Sequence, residues 1–201
     1  MTAFPIALNG DRVRGLVVGG GSVGTRKALA LVEAGANVRV VAPEVSSGLA
    51  KAEAENRLTV LRATYAPDVL GDATLVIAAT SSRDVNSLVA SDAHARGMLV
   101  NVADAPDEGD FHSMAVHRRG DLTIAVSTGG VPNAAVRIRD ALAGRFDARY
   151  ERALAALHAM RSRLRAADEG AWRRAAADLI DDDFCESVEA GTVPERVAAW
   201  R

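Results

Sequence analysis

A doubly wound α/β fold with a parallel sheet, followed by a small β-α segment and a helical C-terminal domain, is predicted by three observations. Short apolar runs alternate with helical patterns through the first half of the chain, as successive βαβ units require. The first unit carries the spacing Gly19-x-Gly21-x-x-Gly24 between its strand and its helix, which makes the fold Rossmann-like. From Ala134 onward the period is helical almost to the end.

The elements follow in order. Residues 15–18 are a short apolar strand, and 22–34 a helix with apolar positions at Val23, Ala28, Leu29, Leu31 and Val32, stopped by Gly35. Residues 38–42 read as the second strand, 46–56 as a polar helix, 58–62 as the third strand and 74–79 as a buried fourth. Helical pattern over 85–96 leads to a fifth strand at 98–102. Residues 104–110 are an acidic loop containing Pro and Gly, and 122–126 one more strand ending in Ser127-Thr128-Gly129-Gly130. Helices are predicted over 136–142, 148–166 and 172–180, with Asp181-Asp182-Asp183 as a solvated helix end or turn. Three segments emerge: 1–112 for a nucleotide, 113–146 as connector, and 147–201 as helical domain.

Composition narrows the function. The 201 residues, 49% hydrophobic, are enough to bury a full core. A formal net charge of −2 with dispersed Lys and Arg gives no general basis for binding nucleic acid. The single cysteine, Cys185, excludes an internal disulfide and a cysteine zinc cage and fits a reducing compartment, the cytoplasm by default. Residues 1–9 lack the basic lead and apolar run of a signal peptide and read as mature sequence, and no later segment approaches a membrane span.

Each glycine of the motif has its own steric task. Gly19 allows the tight turn, Gly21 leaves room for a pyrophosphate, and Gly24 lets the helix pack close to the sheet. Ser22 and Val23 open the helix whose free N–H groups face the phosphates. About 20 residues further on, the position of a ribose-binding carboxylate, Glu44 follows Pro43; it serves either that role or a helix start. No basic residue between Ala42 and Ser47 is there to take a 2′-phosphate, which favours NAD over NADP. Thr80 after the fourth strand, and Val102 with Ala103 at the end of the fifth, complete the crevice. Asp104 follows directly, where a carboxylate can act as general base or merely cap a turn.

The remaining candidates are weaker. His94 and His158 read as surface or packing residues, while His112 and His117 flank the connector and could meet a metal or substrate. No histidine pair has the i, i+4 spacing of a helical metal site, so no resident metal is expected. Arg118, Arg119, Arg137 and Arg139 cluster in the connector, where a multiply acidic ligand could use them. Ser127 and Thr128 lack the context of a nucleophile elbow.

Taken together, Val18-Gly19-Gly20-Gly21-Ser22-Val23-Gly24-Thr25-Arg26-Lys27-Ala28, Ile77-Ala78-Ala79-Thr80, Asn86, Asn101-Val102-Ala103-Asp104-Ala105-Pro106 and Ala125-Val126-Ser127-Thr128-Gly129-Gly130 resemble the precorrin-2 dehydrogenase/ferrochelatase domain of siroheme synthases. The likeness runs in order from about Leu8 to Leu142. It implies NAD-dependent oxidation of precorrin-2 to sirohydrochlorin, a tetrapyrrole substrate, and in bifunctional members insertion of ferrous ion, or cobaltous ion as an alternative metal. It also implies a homodimer formed through residues 113–146. By the same likeness Asp104 is the catalytic residue, Ser22, Val23, Pro43, Glu44 and Thr80 contact the nucleotide, and Ser127 with Thr128 faces the substrate. Arg118 and Arg137 are the connector arginines assigned to its carboxylates.

Three departures from the family pattern stand out. Gly130-Val131-Pro132-Asn133 replaces a Gly-Gly-x-Ser-Pro run, Met114 stands where a proline is common, and these 201 residues carry no methyltransferase domain. Two rivals stay open at this level: a non-catalytic NAD-sensing module in which Asp104 is a turn residue, and a dehydrogenase for a small hydroxy or amino acid.

Overall fold

The structure, a computed structural model, describes residues 4–200. It divides into two compact units, Phe4–Ser113 and a second from Met114 onward.

In the first unit the strands β1 (Arg14–Val18), β2 (Asn37–Val41), β3 (Thr59–Leu61), β4 (Leu75–Ala78) and β5 (Leu99–Val102) form one sheet in the order β3-β2-β1-β4-β5. All four pairings are parallel. The connecting helices are α1 (Ser22–Glu33), α2 (Ser47–Ala54) and α3 (Arg83–Ala95). Because side chains alternate across a strand, Leu16 and Val18 of β1 join α3 residues Val89, Ala90 and Ala93 in one core layer. Val17 points the other way and packs with Ala28 of α1 and Leu49 and Ala52 of α2. Sheet faces covered on both sides explain why β1 and β4 read as unbroken apolar runs. Burying one Leu or Val of this kind contributes about 1.5–3 kcal/mol.

Strand order reverses at β1, which pairs with β2 on one side and β4 on the other. That reversal opens a crevice beyond the carboxyl ends of the strands, where ligands of open α/β sheets bind. Registers of Val18 with Val41 and Ala78, and of Ala78 with Val102, bring four strand ends to one edge.

The second unit starts with an antiparallel hairpin, β6 (Ala115–Arg119) and β7 (Leu122–Val126). Helices α4 (Pro132–Arg145), α5 (Ala148–Ala167), α6 (Glu169–Leu179), α7 (Phe184–Glu189) and α8 (Val193–Ala199) follow. A stripe on α5, Tyr150, Ala153, Leu157 and Met160, packs against Ala175 and Leu179 of α6, Val188 of α7 and Val193 and Val197 of α8. The spacing 3-4-3 of that stripe is the apolar face of an amphipathic helix.

Two features depart from the sequence reading. β6 was not expected, because its sequence Ala-Val-His-Arg-Arg has no alternation that marks a strand; pairing with β7 supplies the missing drive. The tail also continues into α7 and α8, of six and seven residues, too short for a helical period to register. The residues 104–110 loop contains a single 3-10 turn, Pro106–Glu108. The replaced Gly130-Val131-Pro132-Asn133 run still opens a helix, with Pro132 in the first turn of α4, where its missing N–H costs nothing.

Candidate functional site

β1 delivers the chain into a turn that only glycine tolerates. Gly19 has φ +122°, and a β-carbon there would lie 2.3 Å from the Ala79 carbonyl oxygen. A β-carbon on Gly24 would lie 2.1 Å from the Gly19 carbonyl oxygen, so α1 sits directly on the turn. Gly21 differs: a β-carbon there meets nothing within 4 Å. It is the N-cap of α1, with no side-chain cap and no acidic residue in the first turn. The N–H groups of this turn therefore have no intrahelical acceptor and carry the positive end of the helix dipole. Open space in front of an uncapped helix start is a cradle for a pyrophosphate.

Gly20, outside the motif spacing, matters as much. Its β-carbon would lie 2.1 Å from the Glu44 carbonyl oxygen, and its own carbonyl accepts from Ser46 N–H at 3.0 Å. The loop after β2 is thereby fixed against the glycine turn, with Pro43 and Glu44 both exposed at the tip. Glu44 does not start α2. Ser46 does, accepting from Leu49 N–H at 3.3 Å and lying 2.7 Å from the Thr25 hydroxyl. With capping assigned to Ser46, the Glu44 carboxylate is exposed and takes no part in starting α2.

The ends of β4 and β5 bring a second set together. Thr80 N–H donates to Oδ1 of buried Asn86 at 3.0 Å, and the Asn86 amide donates to Asp104 Oδ1 at 3.0 Å. Arg83 lies 3.8 Å from the same oxygen and is hydrogen bonded to Glu108. Ala103 N–H donates to the Ala78 carbonyl at 2.9 Å, fixing the start of the Asp104 loop. Val102 is fully buried in the core, so only its backbone borders the crevice. Gly19, Gly21, Ser22, Val23, Gly24, Pro43, Glu44, Thr80, Val102 and Asp104 thus belong to one sheet edge. Val23 is one of the few large apolar side chains exposed there.

Asn86 and Gly20 carry part of the family resemblance in the sequence, but no role of their own is legible there. The signal for Asn86 is a lone polar residue on the apolar face of a helix, and that for Gly20 its place in the middle of three consecutive glycines.

Ser127, Thr128, Arg118 and Arg137 lie in the second unit. Arg118 on β6 and Arg137 on α4 are exposed, while the Thr128 hydroxyl donates to the Val131 carbonyl at 2.6 Å. Arg139 is hydrogen bonded to Asp140. His117 is corrected: it is buried and its Nε2 donates to the Phe146 carbonyl at 2.7 Å, a packing contact rather than a metal or substrate contact. His94 and His158 make surface contacts with Asp110 and Asp121. Among the described residues no group of three His, Cys, Asp or Glu side chains could hold a metal ion, and no helix is long and apolar enough to cross a membrane.

Fold and crevice together define a Rossmann-type dinucleotide-binding protein. A family model described as "Putative NAD(P)-binding" matches residues 6–115, and the chain belongs to that family. It is 44% identical over 153 residues to a siroheme synthase of Chromobacterium violaceum, covering 76% of this chain and 33% of that protein. It is 40% identical over 186 residues to a siroheme synthase of Saccharophagus degradans, covering 90% of this chain and 38% of that protein. The chain therefore spans roughly a third of the length of these curated relatives. Among solved structures, one named "SirC, precorrin-2 dehydrogenase" aligns with TM-score 0.79 and 26% identity, covering 98% of this chain and 100% of that one.

Proposed function

We propose that this protein oxidises precorrin-2 to sirohydrochlorin with NAD, Asp104 being the general base. The observation that carries this is the Asp104 carboxylate at the end of β5, on the sheet edge that also holds the glycine turn. Similarity along nearly the whole chain to a protein named precorrin-2 dehydrogenase supports the substrate.

The residues present fit NAD. The open cradle at Gly21, before the uncapped N-terminus of α1, would hold the pyrophosphate. Exposed Glu44 would hold the ribose hydroxyls, with Pro43, Ser22, Val23, Thr80 and the backbone of Val102 lining the rest. NAD, when bound, supplies the hydride acceptor. Of the two hydrogens that precorrin-2 would lose, one with its electron pair would pass to bound NAD, and Asp104 would take the other as a proton. The balance is sirohydrochlorin, NADH and one proton.

A substrate with many carboxylates needs local cations. Exposed Arg118 and Arg137, together with Ser127 and Thr128, are the proposed contacts in the second unit. Residues 1–112, 113–146 and 147–201 are proposed as nucleotide, dimerisation and helical segments. A homodimer is supported by Val131, Val136 and Ile138, exposed at 57%, 40% and 46% at the start and along α4. Work in the cytoplasm is consistent with the unpaired Cys185. Ferrochelation is the second step this reading allows, Asp104 accepting pyrrole N–H protons.

The test is anaerobic incubation with precorrin-2 and NAD, followed by the absorption of sirohydrochlorin, and then addition of ferrous or cobaltous ion. NAD-dependent sirohydrochlorin formation that is lost in Asp104→Ala, with NAD binding kept, supports the proposal. No sirohydrochlorin from a chain that still binds NAD points to the sensing module, and unchanged turnover in Asp104→Ala removes the base.

A further inference from the structure

We infer that Asn86 is the positioning residue for Asp104, selecting which carboxylate oxygen takes the proton and tying it to the cofactor turn. This rests on the reading of Asp104 as the base.

Asn86 is fully buried on α3. Its Oδ1 accepts from Thr80 N–H at 3.0 Å, and the Thr80 hydroxyl lies 2.8 Å away. A backbone N–H only donates, so the amide oxygen must face Thr80 and the NH2 must face away from that donor. That NH2 donates to the Thr80 carbonyl at 3.2 Å and to Asp104 Oδ1 at 3.0 Å. The flip of the amide is thus decided by the backbone, not by Asp104.

An NH2 has protons to give and no lone pair to offer, so it occupies an acceptor site of the Asp104 carboxylate and leaves the other oxygen to face a proton. Arg83, three residues earlier on the same face of α3, lies 3.8 Å from the same Oδ1 while held by Glu108 of the 106–108 turn. Both contacts fall on Oδ1. Among the described residues the one hydrogen bond to this carboxylate is on Oδ1, so Oδ2 is the oxygen presented to substrate.

The chain continues toward the cofactor. A β-carbon on Gly19 would lie 3.0 Å from Thr80 N, so the glycine turn rests on the residue that orients Asn86. Turn, Thr80, Asn86 and Asp104 form one contiguous path, and displacement of the turn displaces the base.

The experiment follows the Asp104 carboxyl signal against pH by carbon NMR in the full chain, in Asn86→Asp and in Asn86→Leu, with turnover and NAD affinity measured on the same proteins. Asn86→Asp keeps an acceptor for Thr80 but sets a second carboxylate against Asp104, alongside Arg83 and Glu108. The Asp104 midpoint should rise by about one pH unit or more. The acid limb of the rate profile should move the same way, and kcat at neutral pH should fall about tenfold or more with NAD affinity within about threefold. Asn86→Leu removes the donor without adding charge and should give a smaller rise. The titration needs no turnover: a displaced midpoint in a chain that makes no sirohydrochlorin supports the positioning role and counts against the proposed reaction alone. An undisplaced midpoint in the folded variants overturns the inference, as does undiminished turnover in Asp104→Asn.

Discussion

A β-carbon on Gly20 would lie 2.1 Å from the carbonyl oxygen of Glu44 and 3.0 Å from the α-carbon of Val45. The loop that carries the exposed carboxylate is therefore seated on the glycine turn at a position outside the Gly-x-Gly-x-x-Gly spacing. Three contiguous glycines do three different things: Gly19 turns the chain, Gly20 admits the neighbouring loop, and Gly21 keeps a space empty.

Gly20→Ala and Gly21→Ala should consequently fail in opposite ways. The first forces backbone against backbone and should cost about 1–3 kcal/mol of stability, as overpacking does. The second meets nothing in the protein and should cost no more than the roughly 0.5–1 kcal/mol that separates Gly from Ala at an N-cap, while weakening NAD at least about tenfold, because the methyl occupies the cradle. Thermal melting beside NAD titration checks both; equal destabilisation by the two would remove the distinction.

Glu44→Arg should change coenzyme choice without changing the fold. Glu44 is exposed and makes no capping contact, so the surface substitution should stay within about 0.5 kcal/mol in stability. NAD affinity should drop about tenfold and the preference over NADP should shrink or reverse, since a cation replaces the ribose acceptor beside the 2′ position. Calorimetric titration with both coenzymes decides it. An unchanged NAD to NADP ratio would place the ribose elsewhere.

Much of this site was legible in the sequence because its logic is local. Gly19, Gly21 and Gly24 announce a strand-turn-helix by spacing alone, and the apolar runs of β1 and β4 announce strands covered on both faces. Other parts were not, because tertiary contacts decide them. That the Ser46 hydroxyl which caps α2 also meets Thr25, 21 residues away on α1, is a tertiary contact. Asn86 reads as one polar residue in a helix until β4 and β5 bring Thr80 and Asp104 to its two ends. His117 looked available to a ligand because β6 has no pattern of its own, and only pairing with β7 turns that side chain inward.

The burial of His117 makes it a stability residue of the second unit. Its bond to the Phe146 carbonyl joins β6 to the junction of α4 and α5. His117→Ala should cost about 1–3 kcal/mol by leaving that carbonyl unpaired in a small cavity. NAD affinity, a property of Phe4–Ser113, should be unaffected. Urea unfolding with a parallel NAD titration tests this, and loss of NAD binding in a folded His117→Ala chain would contradict it.

Tyr65 gives the chain an alkaline limit whose direction is fixed by its surroundings. Its hydroxyl donates to Asp92 Oδ2 at 2.9 Å, and burial first, then the Asp92 carboxylate, raises the phenol well above its ordinary value. Unfolded tyrosine ionises at about 10, so above that pH the folded state binds the extra proton and the unfolded state does not. Stability from this group is complete below about pH 10 and drains away as pH climbs toward the raised folded value. Tyr65→Phe should therefore lose about 1 kcal/mol at neutral pH, the worth of one hydrogen bond, and the gap to the parent chain should close in more alkaline buffer. Urea midpoints measured at intervals from neutral to about pH 11 follow that gap across the window. A gap that stays constant would show that the phenol keeps its proton equally in both states, and the Asp92 contact would then carry no linkage.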